Sequence, residues 1–441
     1  MSATEKLLAF GNPLDRATAE AMDAADSLAK YRDQFVIADP QVCYLDGNSL
    51  GRMPKATLAR VNSFLTDEWS TELVDGWSHW IDEAQVAGNL LGRVALGAAE
   101  GQVLVHDTTS VNFYQACLAA VKARPGRKTV IIDSSNFPTD RFILQGIAAD
   151  FGLNLITLNN DGSGGPGAVY VAANCELITP ELLAPLLNDD VALVTLQVIH
   201  YRSGSQPDVK AITQLVRDHG GLVVWDASHA IGAVDMRFDE WGVDLAVGCT
   251  YKYGNSGPGA PAWLYVRKEL QNKLNTTIQG WFAQDKQFEM GAFFEPNHEI
   301  RRFQIASPSI IGIRMVQSAF EMIGEAGMPD IEAKAQLGTE LMLALYDAWL
   351  APLGFTLLTP RDANRRGGHI TIGHRDAKKI AAAMRSLIKV VPDYRTPDSI
   401  RVAISPLPTS FVEVYDGLHR LRSMVENGDY LRIEDNGSRV T

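Results

Sequence analysis

Between Cys249 and Trp263 the chain reads CTYKYGNSGPGAPAW. One lysine, Lys252, stands between two tyrosines, and glycines and prolines crowd the residues after it. The preceding VDLAVG (Val243–Gly248) is a short apolar run of the kind found in strands buried on both faces. Lys252 therefore stands where a strand ends and a loop begins, and glycine there lets backbone approach a ligand closely. Upstream, GLVVWD ends at Asp226, with His229 three residues on. TVIIDS and VALVTLQVI are further apolar runs rich in β-branched residues, and helix-like stretches such as DVKAITQLVRDHG separate several of them. This alternation predicts an α/β fold with a parallel, doubly wound sheet.

In such sheets ligands sit beyond the carboxyl ends of the strands. After VLVH comes DTTSVNFYQACLAAV, which places Thr109 and Ser110 at a helix start. That is an anion site or a plain cap. After TVIIDS comes SNFPTDRF, with Phe137 and Asp140. Each piece alone reads as a turn, a cap or a surface lysine. Together they form the set that pyridoxal phosphate requires. Lys252 would carry the aldehyde, and Asp226 would keep the pyridine nitrogen protonated. The helix start would hold the phosphate, and Phe137 would stack on the ring.

The bulk numbers agree with a soluble enzyme. A chain of 441 residues predicts one large domain plus a smaller one. A net charge of −12 argues against a nucleic-acid or anionic-membrane binder. Cys43, Cys117, Cys175 and Cys249 are widely spaced with no CxxC pair, so neither a metal site nor a disulfide framework is expected. The start, MSATEKLLAFGNPLD, meets charge and proline too early for a signal peptide, and no run approaches membrane-span length. A cytoplasmic protein is the expectation. The domains are expected at 1–45, a helical segment belonging to the small domain or to dimer contacts, 46–325, the large cofactor domain, and 326–441, a smaller α+β domain built from GGHITIGH, IRVAIS and a final helix.

YLDGNSLG, DTTSVN, NFPTDRF, HYRSG, WDASHAIGAV, WGVDLAVGCTYKYGNSGPG, GWF and DYRTPDSIRVAISPLPTSFVEVYD follow one another in order. From about residue 40 to 425 the chain resembles the kynureninases. The resemblance implies a fold-type-I pyridoxal-phosphate enzyme, with a mostly parallel seven-stranded sheet flanked by helices and a small C-terminal α+β domain. It implies a homodimer with active sites at the subunit interface and a small amino-acid substrate. The reaction implied is hydrolysis of the β–γ carbon bond of L-kynurenine, or of its 3-hydroxy form, to anthranilate or 3-hydroxyanthranilate and L-alanine in tryptophan catabolism.

Carried over by resemblance, Lys252, Asp226 and Tyr251 are the catalytic residues. Thr109, Ser110 and Tyr251 resemble phosphate ligands, Phe137 the stacking aromatic with Asp140 close by, and His229 the neighbour of Asp226 beside the cofactor. Trp281 and Ser307 match positions that reach the phosphate or substrate from the partner subunit. Arg401 resembles the arginine that clamps the α-carboxylate, a task suited to a guanidinium fork. Asn48 and Trp77 fall at substrate-contact positions, and Trp77 matches relatives that prefer unsubstituted kynurenine. Gly254, Ser256 and Ala306–Ser309 depart from the pattern, which leaves a substituted ring open. Transamination and desulfuration remain as rival reactions on the same cofactor. For desulfuration, none of the four cysteines stands in a fitting loop context.

Overall fold

A computed structural model of the chain describes residues 1–159, 168–170 and 177–433. Eight strands form the large sheet: β1 Val103–Val105, β2 Thr129–Asp133, β3 Asn154–Asn159, β4 Ala168–Tyr170, β5 Val191–Gln197, β6 Leu222–Asp226, β7 Leu245–Gly248 and β8 Trp263–Val266. Their order is β1-β8-β7-β6-β5-β2-β3-β4. Only β8 runs against its neighbours. Seven strands were expected, and the eighth is β4, three residues paired to the outer edge of β3. So short an edge strand has too few residues to show a periodicity of its own.

Every residue of β2, β5, β6 and β7 is buried, as helices on both faces require. The helix Thr109–Lys122 is one of these covers, and Thr108 caps it by accepting from the Val111 N–H at 3.3 Å.

The smaller sheet is antiparallel: β9 Thr356–Leu357, β10 His369–Gly373, β11 Asp393–Arg395 and β12 Ser399–Ala403, in the order β9-β10-β12-β11. Leu7, Ala19, Met22, Cys43 and Leu45 share its apolar core with Leu341, Trp349, Ile370 and Leu418. Cys43–Tyr44 also pairs in parallel with Val390–Val391. Leu28, Tyr31 and Phe35, between those N-terminal residues, pack instead into the core of the large sheet. The helix Met328–Leu345 bridges in the same way, with Met328 and Ile331 in one core and Leu341 to Leu345 in the other. The helical opening breaks at Asp26, whose carboxylate meets the buried Lys334 ammonium at 2.7 Å.

Candidate active site

β6 ends at Asp226, β7 runs out into Cys249–Lys252, and the helix Thr109–Lys122 starts beside them. Between these ends lies a cavity of about 440 Å³. Asn48, Thr109, Ser110, Phe137, Asp140, Asp226, His229, Tyr251 and Lys252, all expected from the sequence, line it.

Asp226 is fixed at the sheet edge. Its Oδ1 accepts from the Ser228 N–H at 2.8 Å, and its Oδ2 from the Gln197 amide at 3.4 Å. Burial, and next the charge of Asp226, push the neighbouring Asp140 carboxyl well above the usual range. A buried carboxyl beside another carboxyl ionises reluctantly, so Asp140 keeps its proton.

Burial lowers the Lys252 ammonium below its ordinary pKa. Its Nζ lies 3.2 Å from His229 Nδ1 and 5.9 Å from the centre of the Phe137 ring. On the other side, His229 Nε2 lies 3.2 Å from Arg401 Nη1. Burial, then the charges of Lys252 and Arg401, hold the imidazole well below its usual pKa, hence neutral. A guanidinium only donates hydrogen bonds, so Nε2 must accept and Nδ1 must carry the ring proton. That N–H points at Lys252 Nζ, which accepts it only as a neutral amine.

Arg401, expected at the substrate, has a fully buried side chain and is not among the residues lining the cavity. The register of the small sheet is the reason: Asp393 on β11 lies directly opposite Arg401 on β12. The guanidinium contacts Asp393 through Nε and Nη2, the Tyr201 carbonyl and His229 through Nη1, and Ser49 Oγ at 3.0 Å through Nη2. The arginine on the cavity wall is Arg395.

Within one chain, three other expected residues lie away from the cavity. Trp77 and Ser307 line a separate apolar groove of about 590 Å³ with Phe64, Trp69, Leu73 and Val74. Trp281 is 45% exposed and stacks edge-on against Phe282 and Phe288.

YLDGNSLG closes the cavity from the small-domain side. The Gly51 N–H donates to the Tyr251 carbonyl at 2.8 Å, and a methyl group at Gly51 would collide with the Lys252 carbonyl oxygen. A methyl group at Gly47 would strike Ser405 Oγ. Two glycines thus let the loop lie flat against the lysine turn. Between them Asn48 is fully buried on the cavity wall, its amide nitrogen and oxygen both without a partner. Just before them Asp46 is also buried. Burial, and then Asp393, push its carboxyl up to about 6.

The sequence reading missed Ser49, Thr139, Ser228 and Arg395 on the wall. Ser228 sits inside WDASHA between the two residues that were named. Cys249 was set aside for its strand context, yet it lies on the wall, with its thiol 3.8 Å from the Ser228 carbonyl. It is only 2% exposed and follows directly on β7, so it is not the mobile nucleophile that desulfuration demands. Cys43, Cys117 and Cys249 are free thiols, whereas Cys175 lies outside the described residues. Among the described residues no cluster is suited to a metal ion, and no helix is long and apolar enough to cross a membrane.

Residues 331–421 match the kynureninase C-terminal domain family. Over 418 residues the chain is 34% identical to kynureninase of Pseudomonas fluorescens, covering 92% of this chain and 94% of that one. It is 33% identical over 420 residues to kynureninase of Burkholderia pseudomallei, covering 93% and 95%. The chain belongs to the kynureninase family. Solved structures with the same fold include an apo cysteine desulfurase from Thermococcus onnurineus, with a TM-score of 0.76 at 14% identity, covering 90% of this chain and 98% of that one. Another is an alanine–glyoxylate aminotransferase from Nostoc, with a TM-score of 0.63 at 18% identity, covering 90% and 97%. At that identity they speak for the fold alone.

Kynureninases are pyridoxal-phosphate enzymes, and the residues present fit that group. A lysine and the strand-end Asp226 face one cavity, a capped helix start supplies free N–H groups for a phosphate, and an unpartnered buried amide is left for a ligand.

Proposed function

We propose that this kynureninase-family chain hydrolyses L-kynurenine to anthranilate and L-alanine with pyridoxal phosphate. The observation that carries the reading is the meeting of Lys252, Asp226 and the Thr109 helix start at one cavity, in a chain that matches kynureninases along 92% of its length.

Lys252 holds the cofactor aldehyde, Thr109, Ser110 and Tyr251 hold the phosphate, and Phe137 packs on the ring. Pyridoxal phosphate, when bound, supplies an electron sink for charge left at the substrate's α-carbon. Asp226 keeps a proton on the ring nitrogen, and Asp140, being neutral, does not compete for it. Once the substrate's amine has taken its place on the aldehyde, Lys252, favoured as a neutral amine by burial and by the His229 N–H, would accept the α-proton at Nζ. Tyr251 lines the same wall, and Cys249, and then burial, hold its phenol protonated. It is the proton donor at hand for the later steps. Hydrolysis adds hydroxide to the γ-carbon and a proton to the β-carbon, which separates anthranilate from alanine.

The chain works as a homodimer. Trp69, Leu73 and Val74 are exposed apolar side chains beside the Trp77–Ser307 groove, and a surface of that kind supports burial against a second copy. Trp281, Ser307 and Trp77 then complete the partner's cavity, with Trp77 favouring the unsubstituted aromatic ring. The setting is tryptophan catabolism in the cytoplasm.

The test is to add L-kynurenine to the holoenzyme and follow anthranilate fluorescence, with alanine as co-product. Wild type should turn over, and Lys252→Ala should lose both turnover and the visible band of covalently held cofactor. A wild-type holoenzyme that produces no anthranilate would end this reading.

A further inference from the structure

A second cavity, of about 410 Å³, lies at the edge of the large sheet opposite Lys252. β8 is antiparallel, and its last residue, Val266, pairs with Leu245 at the start of β7. The chain turns there through the helix Lys268–Gln271 to Asn272, which lines this cavity. It shares no lining residue with the cavity that holds Lys252.

Arg302, in the turn Ile300–Phe303, lines it and is only 7% exposed. Its Nη1 donates to the Gln271 carbonyl at 2.5 Å and to the Asn272 side-chain oxygen at 3.4 Å. Nε is buried with no partner, and Nη2 makes no hydrogen bond among the described residues. Burial lowers the guanidinium's pKa, and no neighbouring carboxylate offsets it. An arginine keeps its proton even so. A buried charge without a counter-ion is costly, and each unmatched N–H adds to the cost. The guanidinium is therefore set up for an anion that this chain does not itself supply.

The other walls restrict which anion fits. Asp285 and Glu295 line the cavity too, and both are exposed, so they stand at its rim. They face each other across a narrow loop, where the Asp285 N–H donates to the Glu295 carbonyl at 2.9 Å and Gln284 bridges to Pro296. Two carboxylates at the rim repel a phosphate or a sulfate. They attract a molecule that carries an ammonium beside its carboxylate. Phe294 and Pro296 give an apolar wall for a side chain.

We infer that this cavity binds an apolar α-amino acid, with its carboxylate on Arg302, its ammonium toward Asp285 and Glu295, and its side chain against Phe294 and Pro296. The site is separate from the lysine cavity and does not depend on the reaction proposed above.

The test is equilibrium dialysis of holoenzyme with labelled L-leucine. The cofactor's visible band reports the lysine cavity in the same samples. Wild type should bind one L-leucine per chain that leaves this band unchanged, besides any that alters it. Arg302→Gln should weaken the band-silent binding roughly 10- to 100-fold, the range expected for hydrogen bonds to a charged group. A normal visible band in the variant shows that the chain is folded. The rim is tested by a second variant, Asp285→Asn with Glu295→Gln, whose exposed positions spare the fold. It should bind L-leucine more weakly and let sulfate displace it, which sulfate should not do in wild type. A wild type with no band-silent site would overturn the inference, and the counter-ion of Arg302 would then come from a second copy of the chain or from none. A band-silent site that Arg302→Gln leaves unchanged would overturn it as well. Sulfate that displaces L-leucine from wild type would overturn the amino-acid class and leave a general anion site.

Discussion

Asp393 and Arg401 face each other across antiparallel strands, and the carboxylate touches two of the guanidinium's three nitrogens with both side chains buried. Breaking a buried pair from one side leaves the other charge uncompensated, which typically costs about 3–5 kcal/mol. Asp393→Asn should therefore unfold at markedly lower urea than wild type. Denaturant midpoints at unchanged slope would measure it. A loss under about 1 kcal/mol would mean that Tyr201 and Ser49 hold Arg401 unaided.

His229 joins Arg401 to Lys252 through its two ring nitrogens. The Nδ1–H favours the neutral amine, so its removal should raise the pKa at which Lys252 becomes reactive. The other groups that bear on Lys252 are Cys249, Asp226, Arg401 and Arg395, and they stay in place. In apoprotein, the pH profile of Lys252 labelling by an amine reagent should shift upward in His229→Leu. His229→Gln, which keeps a donor and an acceptor, should fall closer to wild type. A profile that does not move in His229→Leu would refute the tautomer argument.

Asp46 has a folded-state pKa of about 6, against 3.8 for the free side chain, because burial and Asp393 disfavour its charge. The sign follows from linkage. Below about 4 both states bind the proton, and the group imposes no cost. As pH rises from 4 to 6 the folded state keeps a proton that the unfolded state has released, so stability falls. Two pH units correspond to roughly 3 kcal/mol, fully lost above 6. Asp46→Asn cannot titrate. The stability of wild type relative to this variant should decline between pH 4 and 6 and level off above. Urea unfolding of both at four pH values would decide, and a flat difference would rule the account out.

Gly51 touches the backbone of the lysine turn, and an added methyl group has no room there. Overpacking of this kind costs about 1–3 kcal/mol. Gly51→Ala should lower the melting temperature and loosen cofactor binding, since the loop that carries Asn48 must lift off Lys252. Titration of apoenzyme with pyridoxal phosphate would report the second effect. Wild-type affinity would mean that the loop yields without moving the lysine.

Much of the site was legible because its residues sit at strand ends, where short apolar runs point to them. Asp226, Lys252 and the Thr109 helix start were found that way. Trp77, Trp281 and Ser307 came from resemblance alone, and one chain by itself does not bring them to the cavity. Arg395 was missed for a different reason. Sequence shows two arginines in DYRTPDSIR but not which one the strand register will bury. The edge strand Ala168–Tyr170 was missed because three residues carry no pattern.

The chain's beginning is held by its end. Arg16 pairs with Asp416, Asp23 accepts from the N–H groups of Phe411 and Val412, and the Tyr44 N–H donates to Glu413. During synthesis, then, the first forty or so residues emerge long before their partners exist. At ribosomal speeds of roughly 5–20 residues per second, they wait some tens of seconds with Leu7, Ala19 and Met22 uncovered. The large sheet can assemble in that interval. The small domain closes last, when the final helix arrives, and brings YLDGNSLG down onto the lysine turn. The cavity is therefore completed only after the helix Phe411–Glu426 has been made.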